Sequence, residues 1–155
     1  MGVDRVLFLL VAFATHGAVG YALVATFAGV DPRLGALLAV APDVDLLFDP
    51  AWGPAFVHRG FTHAPTFLLA CTGVAYAVRR RRTDALAVAL ALGSHLAVDA
   101  LSPMGLPLLL SPGDLPSPGL HVHGPALTVL LWTLAGALLV RHNSERITSL
   151  RGARE

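Results

Sequence analysis

The stretch YAVRRRRTDALAVALALGSHLAVDAL, residues 76–101, decides how this chain folds. Four consecutive arginines, Arg79 to Arg82, separate a pair of apolar runs, one ending at Val78 and one reaching from Asp84 to Leu101. The pattern predicts two helices joined by a basic loop, and such a loop stays on the cytoplasmic side of a membrane. The remaining composition agrees. Of 155 residues, 55% are hydrophobic and only 14% charged, and mean hydropathy is +0.67. A soluble domain carries about 25% charged residues. The net charge of +1 gives no reason to expect a nucleic-acid partner. Cys71 stands alone, which excludes a disulfide within the chain.

Two further long apolar segments flank this pair. The first runs from Val6 to Val30, the second is Phe61 to Val78, the third is Asp84 to Leu101, and the fourth is Pro125 to Val140, stopping at Arg141. A spanning helix takes about 17 to 25 residues. The first segment meets that, the second and third are borderline, and the fourth is short unless loop residues extend it. A less apolar helical stretch, Pro32 to Leu47, is expected to lie at the interface or to dip in and return. The expected fold is therefore all-α: a polytopic membrane bundle of about four spanning helices plus a short interfacial or re-entrant helix. It forms one domain over residues 1–155, with a basic tail at 141–155. Buried helices of a soluble all-α protein are the alternative. Ala12-Phe13-Ala14 has the form of a signal-peptide cleavage site, but the run Val6 to Val11 before it is short for that purpose, and an uncleaved helix is expected.

Arginine placement sets the expected orientation. The loop Arg79 to Arg82 and the tail with Arg141, Arg146, Arg151 and Arg154 should be cytoplasmic, and Ser102 to Gly124, which has no Lys or Arg, should face outward. Arg5 then puts the N-terminus inside with the tail, leaving Arg33 and Arg59 as outward exceptions. The Pro- and Gly-rich stretch 111–119 reads as a short irregular excursion.

Polar residues inside such a chain call for an explanation. His95 and Asp99 are four apart, so a helix stacks them on one face, where they suit either one metal ion or a hydrogen bond between helices. Asp43 and Asp45 follow Pro42. They share a side in an extended segment and diverge in a helix, and a cap or turn is the bland reading. Asp49 is expected to start a turn with Pro50. His58 and His63 are five apart, which suits a loop entering a helix, with Thr62 as N-cap and Pro65 in the first turn. Arg59 beside a helix N-terminus would be an anion contact. His16 is a lone histidine in an apolar run. His121 and His123 in the outward loop are read as surface histidines, with a ligand role as the alternative, and His142 falls on the wrong side. Taken together, His16, Asp43, Asp45, His58, His63, His95 and Asp99 fall on one side of one bundle. A nitrogen and oxygen donor set without thiolate suits zinc, manganese or iron, with residues enough for one or two ions.

These blocks resemble the YdjM-type membrane-bound metal-dependent hydrolases. The resemblance rests on Thr15-His16-Gly17, Pro42-Asp43-Val44-Asp45, His58-Arg59-Gly60-Phe61-Thr62-His63 and Ser94-His95-Leu96-Ala97-Val98-Asp99, followed by Ser102-Pro103-Met104-Gly105. The chain departs at Ala64-Pro65, where the family often has Ser after the second histidine. The ligand order is also similar, more distantly, to zinc-dependent phospholipase C and P1-type nucleases. That similarity fails at the C-terminal end, where His142 and Glu145 are three apart instead of four. The resemblance implies a hydrolase in the cell membrane that uses a divalent metal, zinc first, on a phosphoester or lipid-like substrate. His16, Asp43, Asp45, His58, His63, His95 and Asp99 are the ligand candidates, with Asp43 or Asp45 as the alternative general base and Arg59 as the anion contact. A non-enzymatic membrane protein with a structural metal or an ion pathway is the competing expectation.

Overall fold

The computed structural model describes residues 3–107 and 116–152. Five α-helices order the described residues: α1 (Val3–Phe27), α2 (Pro32–Val40), α3 (Pro65–Arg79), α4 (Arg82–Ala100) and α5 (Pro125–Gly152). No strand occurs among the described residues. α1 ends where Gly29 takes a left-handed conformation, and Asp31 then caps α2 by accepting from the Arg33 N–H, with Pro32 pre-set for the first helical position. At Ala41 the chain tightens into a 3₁₀ helix, Ala41–Leu47, at a proline whose missing N–H suits a helix start. Asp49 accepts from the Ala51 N–H and opens the turn Pro50–Trp52, as expected.

Among the described residues three helices, α1, α4 and α5 over Pro125–Leu150, are long and apolar enough to cross a membrane. α3 is the exception to the expected four. It begins at Pro65, after a separate 3₁₀ turn Phe61–His63, and has 15 residues, about 22 Å of helix against a hydrocarbon core of about 30 Å. α5 runs past Arg141, where a stop was expected, to Gly152. Cys71 on α3 is half-buried. Of the excursion 111–119, residues 111–115 lie outside the described residues.

α1 packs against α2, α4 and α5, and α4 also against α2 and α3. Val24, Ala28, Ala39, Ala87 and Ala91 form the buried apolar core. α1 and α2 touch through glycine: a Cβ on Gly35 would meet Gly20 O at 2.5 Å and Val24 Cβ at 2.7 Å. Small residues let helix backbones approach where lipid supplies no hydrophobic drive. Large apolar side chains point outward instead, among them Leu7, Phe8 and Leu10 on α1 and Val129, Leu130 and Leu134 on α5.

Neighbours fix the helix directions. Phe8 packs on His123, just ahead of α5, and Trp132 donates to Thr15 Oγ1. Farther along, Tyr21 and Phe27 share a cavity with His142 and Arg146. α1 and α5 therefore run parallel, while α4 runs opposite to α1, placing Asp99 by His16 and Ala87 by Val24. Residues 3 and 152 therefore lie at opposite ends of the bundle, whereas arginine placement led both termini to be expected on one side. The cause is α2, which turns back along α1 and returns the chain only some of the way. The start of α2 lies beside Arg79 and Asp84, so Arg33 joins Arg79 to Arg82, Arg141 and Arg146 at one basic end, and Arg5 moves to the other.

Candidate metal centre

The fold brings one face of α1, the 3₁₀ helix after α2, the loop before α3 and the last turn of α4 to a single point. His16, Asp43, Asp45, Arg59, Thr62, His63, His95 and Asp99 are all buried there, and His58 is partly exposed. The 3₁₀ helix buries both Asp43 and Asp45, side by side with His63, so neither the extended nor the α-helical reading of that pair applies.

The histidines are locked from behind. His95 Nδ1 donates to Ala39 O at 2.6 Å, and His63 Nδ1 lies 3.0 Å from Asp45 Oδ2. With both Nδ1 positions committed as donors, both Nε2 atoms are acceptors in the neutral rings. Those two atoms face each other at 3.0 Å. Asp99 Oδ2 lies 3.4 Å from His63 Nε2 and 3.5 Å from His95 Nε2, and Asp43 Oδ1 lies 3.6 and 3.8 Å from the same nitrogens. Four acceptor atoms thus converge at separations mostly too long for hydrogen bonds. They match the edge of a tetrahedron around a zinc-like ion, about 3.4 Å for bonds of about 2.1 Å. The charge points the same way. Three buried carboxylates, Asp43, Asp45 and Asp99, face one buried guanidinium, Arg59, so neutral histidines leave two negative charges unbalanced, a costly state in a buried site. A dication fits this donor set.

Asp45 has a different place from the one expected of a ligand or base. Its two oxygens receive the Arg59 N–H at 2.9 Å, Thr62 Oγ1 at 2.9 Å, His58 Nδ1 at 2.9 Å and His63 Nδ1 at 3.0 Å. A carboxylate offers about four lone-pair sites, and four donors crowd this one, three at Oδ2 and one at Oδ1. Burial alone raises its carboxyl, but the hydrogen bonds from His58 and His63 outweigh that and hold it well below the usual carboxylate range. Asp45 therefore orients the two histidines, the role a carboxylate plays behind metal-bound imidazoles. Thr62, expected as an N-cap, spends its hydroxyl on Asp45, and α3 starts at Pro65 behind Ala64 without a side-chain cap.

Arg59, expected as an anion contact, has partners inside the protein. Its guanidinium turns inward: Nη2 pairs with Asp99 Oδ1 at 2.9 Å, while Nη1 donates to Asp99 O, Gly105 O and Ser102 Oγ. Arg59 ties the loop to the end of α4, and an incoming anion would have to break those bonds. The turn that achieves this is tight. Arg59 has φ 63, a left-handed backbone that costs a residue with a Cβ about 1–2 kcal/mol, and a Cβ on Gly60 would collide with Ala55 O, so the glycine of this motif has a backbone reason.

Sequence reasoning undervalued one residue. His123, read as a surface histidine, places Nε2 3.7 Å from Asp99 Oδ1 with its ring 5.2 Å from that of His16. The pair His121 and His123 offered a ligand role only as the alternative, and its spacing does not say which ring turns inward. Its neighbour His121 is exposed, as expected. His142 lies at the basic end, away from the cluster. Groups close enough to share an ion are His63 with His95 and Asp99, His16 with Asp43 and His95, Asp43 with His58 and His63, and His16 with Asp99 and His123. A cavity of about 80 Å³ touches His16, Asp43, His58, Asp99 and His123, and an apolar one of about 430 Å³ adjoins it through Phe8, Met104 and His123.

The profile of the YdjM inner membrane protein family matches residues 11–151. No curated protein matches the chain, and no solved structure does.

Proposed function

The chain belongs to the YdjM inner membrane protein family, and from that premise we propose that it is a metal-dependent hydrolase of an amphiphilic phosphoester. The observation that carries this reading is the head-on pair of His63 and His95 acceptors beside Asp99, an arrangement that calls for a cation. His63, His95 and Asp99 hold the ion, with zinc first by donor type and manganese or iron as alternatives. Asp45 and Ala39 O fix the two imidazoles. Asp43, which lines the small cavity and has no set of four donors like that of Asp45, is the general base that takes a proton from attacking water. A bound divalent ion would lower the pKa of water and polarise the ester oxygen.

The cavity of about 430 Å³ is lined by Phe8, Pro103, Met104, Leu120 and Val122. It supports an acyl or isoprenoid chain in the substrate, with the polar head at the cluster. The clustering of Arg33, Arg79 to Arg82, Arg141 and Arg146 supports a cytoplasmic basic end. On this reading the metal centre lies toward the outer leaflet, with residue 3 outside and the tail inside.

The competing reading is a closed structural site with Asp43 as fourth ligand. The cavity at Asp43 and Asp99 favours the open, catalytic form. Purified protein in detergent, given lipid phosphoesters, tests the proposal. Turnover should vanish with chelator and return with metal, and Asp43→Asn should keep the ion while losing turnover by about 10²-fold or more. Turnover that survives complete metal removal would sink the reading.

A further inference from the structure

We infer that the centre holds two ions, and that His123 closes the second position with His16 and the Oδ1 atom of Asp99. This rests on the metal-centred reading above. The two oxygens of Asp99 face different partners. Oδ2 turns to His63 and His95, while Oδ1 lies 3.5 Å from His16 Nε2 and 3.7 Å from His123 Nε2. Both of the latter distances exceed a hydrogen bond and approach the tetrahedral edge of about 3.4 Å. Neither imidazole has another polar partner: His16 Nδ1 and His123 Nδ1 are both buried and unpaired. A buried imidazole without a hydrogen bond at either nitrogen is costly, and an ion on Nε2 resolves half of that for each ring. Arg59 Nη2 lies 2.9 Å from Oδ1 as an ion pair without hydrogen-bonding it, so that among the described residues Oδ1 is itself buried without a hydrogen-bond partner and has lone pairs to give.

His123 is held there by its loop. Leu120 N–H donates to Leu101 O at 2.7 Å, Gly124 N–H to His121 O at 2.8 Å, and Val122 is buried between them. The ring then packs edge-on against Phe8 and His16. His16 in turn stacks on His95 at 3.9 Å between centroids, which sets the two positions side by side.

The charge has a consequence for the substrate. One dication balances the two unpaired negative charges of the cluster; a second leaves the centre positive. An anionic phosphoester then supplies the balance, and the anion-binding role that Arg59 is turned away from falls to the second ion. His123 borders both the cluster and the apolar cavity, so this ion stands where the head group meets its chain.

The test uses the full chain in detergent, stripped of metal and reloaded with Mn²⁺, read by bound metal per chain and by electron paramagnetic resonance. Wild type should take up two Mn²⁺ with the spectrum of an exchange-coupled pair. His123→Ala should take up one, uncoupled, while His121→Ala keeps two and His123→Asp, which restores a ligand, recovers the second. Two coupled ions in His123→Ala would overturn the inference. So would a single ion in wild type, which leaves the proposed hydrolase standing. Wild type that takes up none removes both readings. The coupled signal in wild type needs no variant to fold.

Discussion

The two polar ends of this bundle follow opposite rules. At the basic end, charges stand in solvent and pair with near neighbours: Arg79 with Asp84 at 3.1 Å and Arg141 with Glu145 at 2.9 Å, both arginines exposed. At the other end, Asp45, Arg59 and Asp99 are buried, and the hydrogen bonds of Asp45 and Arg59 reach partners 13 to 46 residues away in the chain. Exposed pairs contribute about 0 to 1 kcal/mol, whereas removing one partner from a buried pair costs about 3 to 5 kcal/mol. The basic end gathers exposed charge, and the buried end ties distant segments together.

That contrast can be broken by substitution. Asp99→Ala should have the largest effect, because it strands Arg59 and removes the oxygens facing four histidines. A loss of about 3 to 5 kcal/mol in detergent unfolding, with loss of bound metal, is expected; an unshifted transition would show that the buried end is no keystone. Gly35→Ala probes the half-return of α2 that separates the ends, and overpacking against Gly20 and Val24 should cost about 1 to 3 kcal/mol. Asp45→Asn should weaken metal binding by about 10- to 100-fold without abolishing it. An abolished site would make Asp45 a direct ligand after all, and an unchanged affinity would leave it a mere tether. Arg141→Ala, at the exposed end, should stay within about 0.5 kcal/mol of wild type; a loss of several kcal/mol there would erase the distinction.

Much of this architecture was legible in residues 76–101 and their neighbours. Apolar runs and the Arg79–Arg82 stop located the helices, though Arg141 did not mark the end of α5, Pro42 marked the change in helix type, and Asp49 marked a turn. The polar residues of three segments pointed to a common depth, and His16, Asp43, His58, His63, His95 and Asp99 do meet. What stayed hidden depended on direction more than on composition. Arginine counting takes each apolar segment as a full crossing, so a helix that returns only some of the way reverses every later inference about α1. The inward turn of Arg59 depends on a left-handed backbone at one residue, and the crowding of Asp45 depends on four donors from one loop. His123 enters through a loop fold that no spacing rule describes.

The central claim is that these scattered histidines and carboxylates form one metal centre. Metal analysis of the purified protein beside His95→Ala and Asp99→Ala tests it most directly. The account predicts a tightly held divalent metal in wild type and its loss in both variants. Metal content unchanged in both would contradict it.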